Sequence, residues 1–127
     1  REYEKKTIWA EKLAKKTESS HLNLLELFSN EEELSLILEG FSLDDLFKLL
    51  KKYDEHPVLL VTGIEFLKAI WPKTNNIIEH LAGRIEAWTD KPALLFIMKY
   101  DEKLYNYKFN RHPQYKFVIE QNKTIAL

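Results

Sequence analysis

Between Lys99 and Phe117 the aromatic side chains Tyr100, Tyr105, Tyr107, Phe109, Tyr115 and Phe117 interleave with Lys99, Lys103, Lys108, Arg111 and Lys116. Rings beside cations are what a single-stranded nucleic acid needs, with stacking platforms for the bases and charge for the phosphates. Lys108, Arg111 and Lys116 are the candidate phosphate contacts. The competing reading is an edge hairpin, with aromatics in cross-strand pairs and lysines guarding the edge. Period two puts Tyr105, Tyr107 and Phe109 on one face and Asn106 and Lys108 on the other, so stacking and charge would point in opposite directions.

Other reactive side chains are scattered. The four histidines, His21, His56, His80 and His112, include no pair at metal-ligand spacing and read as surface or turn residues. Ser19, Ser20, Ser29, Ser35 and Ser42 fit turns and caps, and no Gly-x-Ser-x-Gly elbow turns one into a nucleophile. The pairs Asp44-Asp45 and Asp101-Glu102 read as solvated faces. With three glycines in the whole chain there is no Gly-x-Gly-x-x-Gly loop for a dinucleotide. No catalytic residue and no metal ligand set is assigned. Trp71, beside Pro72, lies on the C-terminal side of a strand pattern, where α/β sheets place their ligands. A tryptophan there anchors interfaces well. Trp71, Tyr105 and Tyr107 are therefore the candidate protein–protein surface, self-association included, whereas Trp88 reads as a core plug.

These residues need a scaffold, and helix and strand signals alternate along the chain. Ile8 to Ala14 has the spacing of a short amphipathic helix that fades by Thr17-Glu18-Ser19-Ser20. His21 to Leu27 alternates as a strand. Ser29 or Asn30 before Glu31-Glu32-Glu33 starts a helix that runs out at Gly40. Ser42 and Asp45 make a capping box for Leu43 to Leu50. Val58 to Thr62 and Ala93 to Met98 are continuous apolar runs, the mark of strands buried on both faces. Between them Ile64 to Ile70 and about Thr74 to Trp88 have helical spacing. Leu104 to Phe109 and Tyr115 to Ile119 read as a closing antiparallel pair. Two buried strands joined through helices require a parallel crossover. The expectation is one α/β domain over residues 1–127, a mostly parallel sheet centred on Val58–Thr62 and Ala93–Met98, with antiparallel strands at the C-terminal end.

Composition agrees. The chain of 127 residues is 45% hydrophobic and 31% charged, a globular balance. Without cysteine there is no disulfide framework, thiolate zinc site or cysteine nucleophile. A formal net charge of -1 gives no overall attraction to nucleic acid or anionic membrane. No apolar run spans a bilayer, and the charged start, Arg1 to Thr7, has no signal-peptide core. The expected setting is cytoplasmic. The chain begins without methionine, directly in a helical pattern, which suggests that an upstream first strand is missing.

One constellation resembles a known family. Lys5-Lys6-Thr7 enters its helix as the end of a phosphate loop does in P-loop NTPases. Val58 to Leu67 stands in the place of the Walker B strand and its continuation, and Ala93 to Met98 in that of a sensor strand. The ending, Leu104-Tyr105-Asn106-Tyr107 and then Arg111-His112-Pro113-Gln114-Tyr115, is similar to that of the small P-loop protein of BREX phage-defence systems, the BrxF-like family. The resemblance covers 58–127 by motif and the first part by element order. It implies a P-loop NTPase-like core and a role in antiviral defence. It also implies a nucleotide site at Lys6, Thr7 and Glu65, taking ATP and magnesium.

The sequence departs from that pattern where the chemistry is. A phosphate loop needs glycines so that backbone N–H groups can close around the phosphates, and residues 1–7 contain none. Glu2 and Glu4 would repel a triphosphate. Thr62 stands where a magnesium-holding aspartate belongs. The leading expectation is a P-loop-like accessory module working through protein contacts, without ATPase activity or a required cofactor. The alternatives are an ATP-binding ATPase with an atypical loop and a small DNA-binding or other nucleic-acid-binding domain using the C-terminal hairpin.

Overall fold

The computed structural model describes residues 2–30, 32, 40–71, 76–99 and 101–107. Three strands, β1 (Ser20–Asn23), β2 (Val58–Thr62) and β3 (Ala93–Phe96), form an all-parallel sheet in the order β1-β2-β3. Leu60 lies between His21 of β1 and Leu95 of β3. The helices are α1 (Glu2–Thr17), α2 (Leu24–Asn30), α3 (Leu43–Leu50), α4 (Ile64–Ile70), α5 (Ile77–Ala87) and the single turn α6 (Glu102–Tyr105). Among the described residues no helix is long and apolar enough to cross a membrane.

Strand alternation divides the molecule into two unequal layers. Leu22, Leu59 and Val61 point to the face that carries the main core, which takes Leu24 and Phe28 from α2, Leu46, Phe47 and Leu50 from α3, Ile64 and Leu67 from α4, and Leu81 from α5. Both crossovers, β1 to β2 and β2 to β3, thus put their helices on one face, as right-handed connections advancing in one direction must. His21, Leu60 and Thr62 point to the other face. There α1 packs on β1 and β2 through Ala10 and Ala14, whose small side chains allow close approach.

Local signals explain the boundaries. The Ser42 hydroxyl accepts from the Asp45 amide at 3.1 Å while the Asp45 carboxylate accepts from the Ser42 amide at 2.9 Å, the reciprocal cap expected of α3. Arg84 of α5 pairs with Asp44 at 3.0 Å and lies over the Phe47 ring, tying α5 to α3. Gly63 caps α4 with φ 85, a left-handed conformation that glycine adopts without steric cost.

Four sequence expectations are corrected. The strand expected over His21 to Leu27 ends at Asn23. Leu24 and Phe28 are instead buried at helical spacing, and the Asn23 carboxamide accepts from the Glu26 amide at 3.3 Å to start α2. The run from Leu104 begins as a helical turn, because Asp101 accepts from the Lys103 and Leu104 amides at 3.0 and 3.1 Å. β3 stops at Phe96 and is the outer strand of the described sheet, so β2 alone is central. The helix expected from about Thr74 is α5, beginning at Ile77. Tyr115 to Ile119 and most of the helix expected after Asn30 lie outside the described residues.

Candidate functional site

A parallel sheet offers its ligands the edge where the strands end. At that edge stand Asn23 at the end of β1, Thr62 at the end of β2 with Gly63 after it, Glu65 in the first turn of α4, and Ile97 to Lys99 and Asp101 after β3. Glu65 reaches across to the β3 exit, where one carboxylate oxygen, Oε2, accepts from the Lys99 amide at 2.6 Å. Its other oxygen, Oε1, is buried without a hydrogen-bond partner among the described residues. Lys68, one turn further along α4, pairs with Asp101 at 2.7 Å with both side chains largely covered. Burial pushes the Asp101 carboxyl up, but Lys68 and the two capping amides outweigh it and hold the group below its ordinary range. These bonds fasten α4 to the chain leaving β3.

The residues expected to handle phosphate come from α1, the end of β2 and the first turn of α4. Lys5, Lys6 and Thr7 lie inside α1, which is already helical from Glu2, so they turn no loop toward a ligand. The Thr7 hydroxyl faces the covered side of α1, where Oγ1 is buried and unpartnered among the described residues. Thr62 is 1% exposed, and its hydroxyl is engaged with His21 Nε2 at 2.8 Å beneath α1. Among the described residues Lys6, Thr7, Thr62 and Glu65 form no amide cradle, position 62 carries no carboxylate, and Glu65 spends one oxygen on a backbone amide.

Trp71 is the plainest correction. It is 5% exposed, and its indole N–H donates to the Phe41 carbonyl at 2.9 Å, which makes it a core anchor and not a surface anchor. Tyr105 closes α6 and is half-buried. Tyr107 follows it and donates its phenolic O–H to Glu86 of α5 at 3.1 Å. Burial, the Glu86 hydrogen bond and the Glu86 charge all raise the Tyr107 phenol above its usual value. Lys108, Arg111 and Lys116 lie outside the described residues.

Two histidine contacts join residues far apart in the chain. Ser20 Oγ meets His56 Nδ1 at 2.8 Å at the opposite edge of the sheet, where β1 and β2 begin. The contact ties the start of β1 to the segment that leads into β2. His21 lies between β2 and α1, with Glu11 of α1 and Glu26 of α2 nearest in charge. Burial lowers its pKa from the ordinary 6.5, against the pull of both glutamates. The folded histidine therefore protonates later than the unfolded one as pH falls. Stability is expected to drop on acidification from about pH 7 to about pH 5, because the unfolded chain binds the extra proton in that window. Urea unfolding at both pH values should show a smaller drop in His21→Gln. An unchanged drop would remove His21 as its source.

No family model, curated protein or solved structure matches this chain. Among the described residues no group of three or more histidine or acidic side chains could hold a metal ion.

Proposed function

We propose that the chain is a non-catalytic, P-loop-like α/β module that works through protein contacts, as an accessory component of an anti-phage defence system. The observation that carries the non-catalytic part is the unbroken helix through Lys5-Lys6-Thr7. A phosphate loop must present several backbone amides to one anion, and in a helix those amides are committed to carbonyls one turn back. The Thr62–His21 bond and the Glu65 bond to Lys99 support the same reading, since both occupy groups that turnover would need. The defence role rests on the resemblance of the C-terminal motifs.

One observation favours the alternative of nucleotide binding. Thr7 Oγ1 and Glu65 Oε1 are buried polar atoms without partners among the described residues, and such atoms usually mark a missing ligand or water. A single set of measurements separates the two readings. Titration with a fluorescent ATP analogue, with and without magnesium, is expected to show no metal-dependent binding, and phosphate release is expected to stay at the level of buffer. Magnesium-dependent turnover that disappears in Lys6→Ala would establish the alternative.

A further inference from the structure

We propose that the outward face of α1 binds the phosphate backbone of nucleic acid. The lysines concerned are other residues than Lys108, Arg111 and Lys116, and the inference is independent of the function proposed above. Ala10 and Ala14 fix which side of α1 meets the sheet. At 100° per residue the opposite arc carries Lys5, Ile8, Lys12, Lys15 and Lys16, all exposed, with exposed Glu11 at its margin. As a whole α1, Glu2–Thr17, carries five lysines and three glutamates, with Glu2 and Glu4 standing before the first lysine, in a chain whose formal net charge is -1. From Lys5 onward the charge of the helix is predominantly positive.

Outside α1 four cations are paired, while Lys52, Lys91, Lys99 and Lys103 have no carboxylate within ion-pair distance among the described residues. Lys48 and Arg84 pair with Asp44, Lys51 with Asp90, and Lys68 with Asp101. Lys5, Lys12, Lys15 and Lys16 have no carboxylate within ion-pair distance among the described residues. From Lys5 to Lys16 the helix rises roughly 16 Å at 1.5 Å per residue. That length runs beside about five phosphates of one strand at 3.4 Å per nucleotide. Lysines on flexible stems act as point charges, which suits contact with a backbone and not with base edges.

Two other partners fit less well. An interfacial membrane helix needs a continuous apolar face, but the apolar side of α1 is spent on the sheet and only Ile8, 51% exposed, stands among the lysines. Protein interfaces are depleted in lysine at their cores.

The test is fluorescence anisotropy of a labelled 20-base-pair duplex of mixed sequence with the full chain. Four phosphate contacts should weaken binding by about 100-fold between 50 and 200 mM salt. In the variant Lys5→Gln/Lys12→Gln/Lys15→Gln/Lys16→Gln this salt dependence should almost vanish, with an unchanged far-ultraviolet circular dichroism spectrum. Lys48→Gln/Lys51→Gln/Lys52→Gln, on and after α3, should behave as wild type. If the fourfold variant does not fold, Lys12→Glu at the centre of the face should weaken duplex binding by at least tenfold at the lower salt. No binding at 50 mM salt would overturn the proposal. So would a salt dependence that survives loss of the α1 lysines, or binding to polyglutamate or phosphatidylserine vesicles without binding to the duplex.

Discussion

Gly63→Ala is expected to destabilise the protein by about 2–4 kcal/mol, more than any other loss of a single glycine here. Two separate costs add at this position. Its φ of 85 is strained for any residue with a Cβ. A Cβ built there would also lie 2.9 Å from the Leu25 amide nitrogen and 3.3 Å from both the Leu24 nitrogen and Asn23 Oδ1. The nearest of these atoms is backbone, at the start of α2, so relief requires the β1–α2 junction to shift. Gly40 and Gly83 provide the control, because among the described residues a Cβ meets nothing within 4 Å at Gly40 and only the Tyr107 hydroxyl at 3.8 Å at Gly83. Chemical denaturation of Gly63→Ala and Gly40→Ala should therefore differ by at least 2 kcal/mol, roughly the cost of a left-handed alanine plus the contact. Equal midpoints would mean that the junction is looser than its geometry indicates.

The second large effect is expected at Trp71. Trp71→Ala removes a buried ring from the core and should cost about 3–5 kcal/mol. Trp71→Phe keeps most of the ring but leaves the Phe41 carbonyl without its indole donor, for about 1–3 kcal/mol. Unfolding midpoints measure both. Sedimentation velocity of Trp71→Phe should match wild type, since a side chain 5% exposed has no face to offer a partner. A change in assembly with unchanged stability would restore Trp71 to an interface.

Trp71 shows where sequence reading stops. Pro72 and Lys73 beside it look like a surface corner, and nothing local says that the indole bonds a carbonyl thirty residues earlier. His21 and Thr62 are hidden in the same way, because their bond depends on the register of β1 against β2. What could be read was local or periodic. The Ser42–Asp45 cap lies within four residues, and β2 announces itself as a run of aliphatic residues between Pro57 and Gly63. Two misreadings were avoidable. Asn23-x-x-Glu26 and Asp101-x-x-Leu104 carry helix-capping side chains, and reading them as caps ends β1 at Asn23 and makes α6 a helical turn. The placement of Lys6-Thr7 was open on a different ground, since the pair is compatible with a helix start and equally with a helix interior. Only the extent of α1 decides between them.

The position of β3 bears on how the protein behaves when it is not fully folded. The amides of Ala93 and Ile97 bond toward β2, so the backbone groups of Leu94 and Phe96 turn outward from the described sheet. Ala93 to Met98 is also a run of six residues without charge, proline or glycine. Such a segment, once loosened, is a template on which like segments stack into aggregates. Lys91-Pro92 on one side and Lys99 on the other act as gatekeepers, since charge and a missing N–H both interrupt stacking. Neutralising the two lysines would leave the native contacts of β3 in place while shortening the time a warmed or partly denatured sample stays clear.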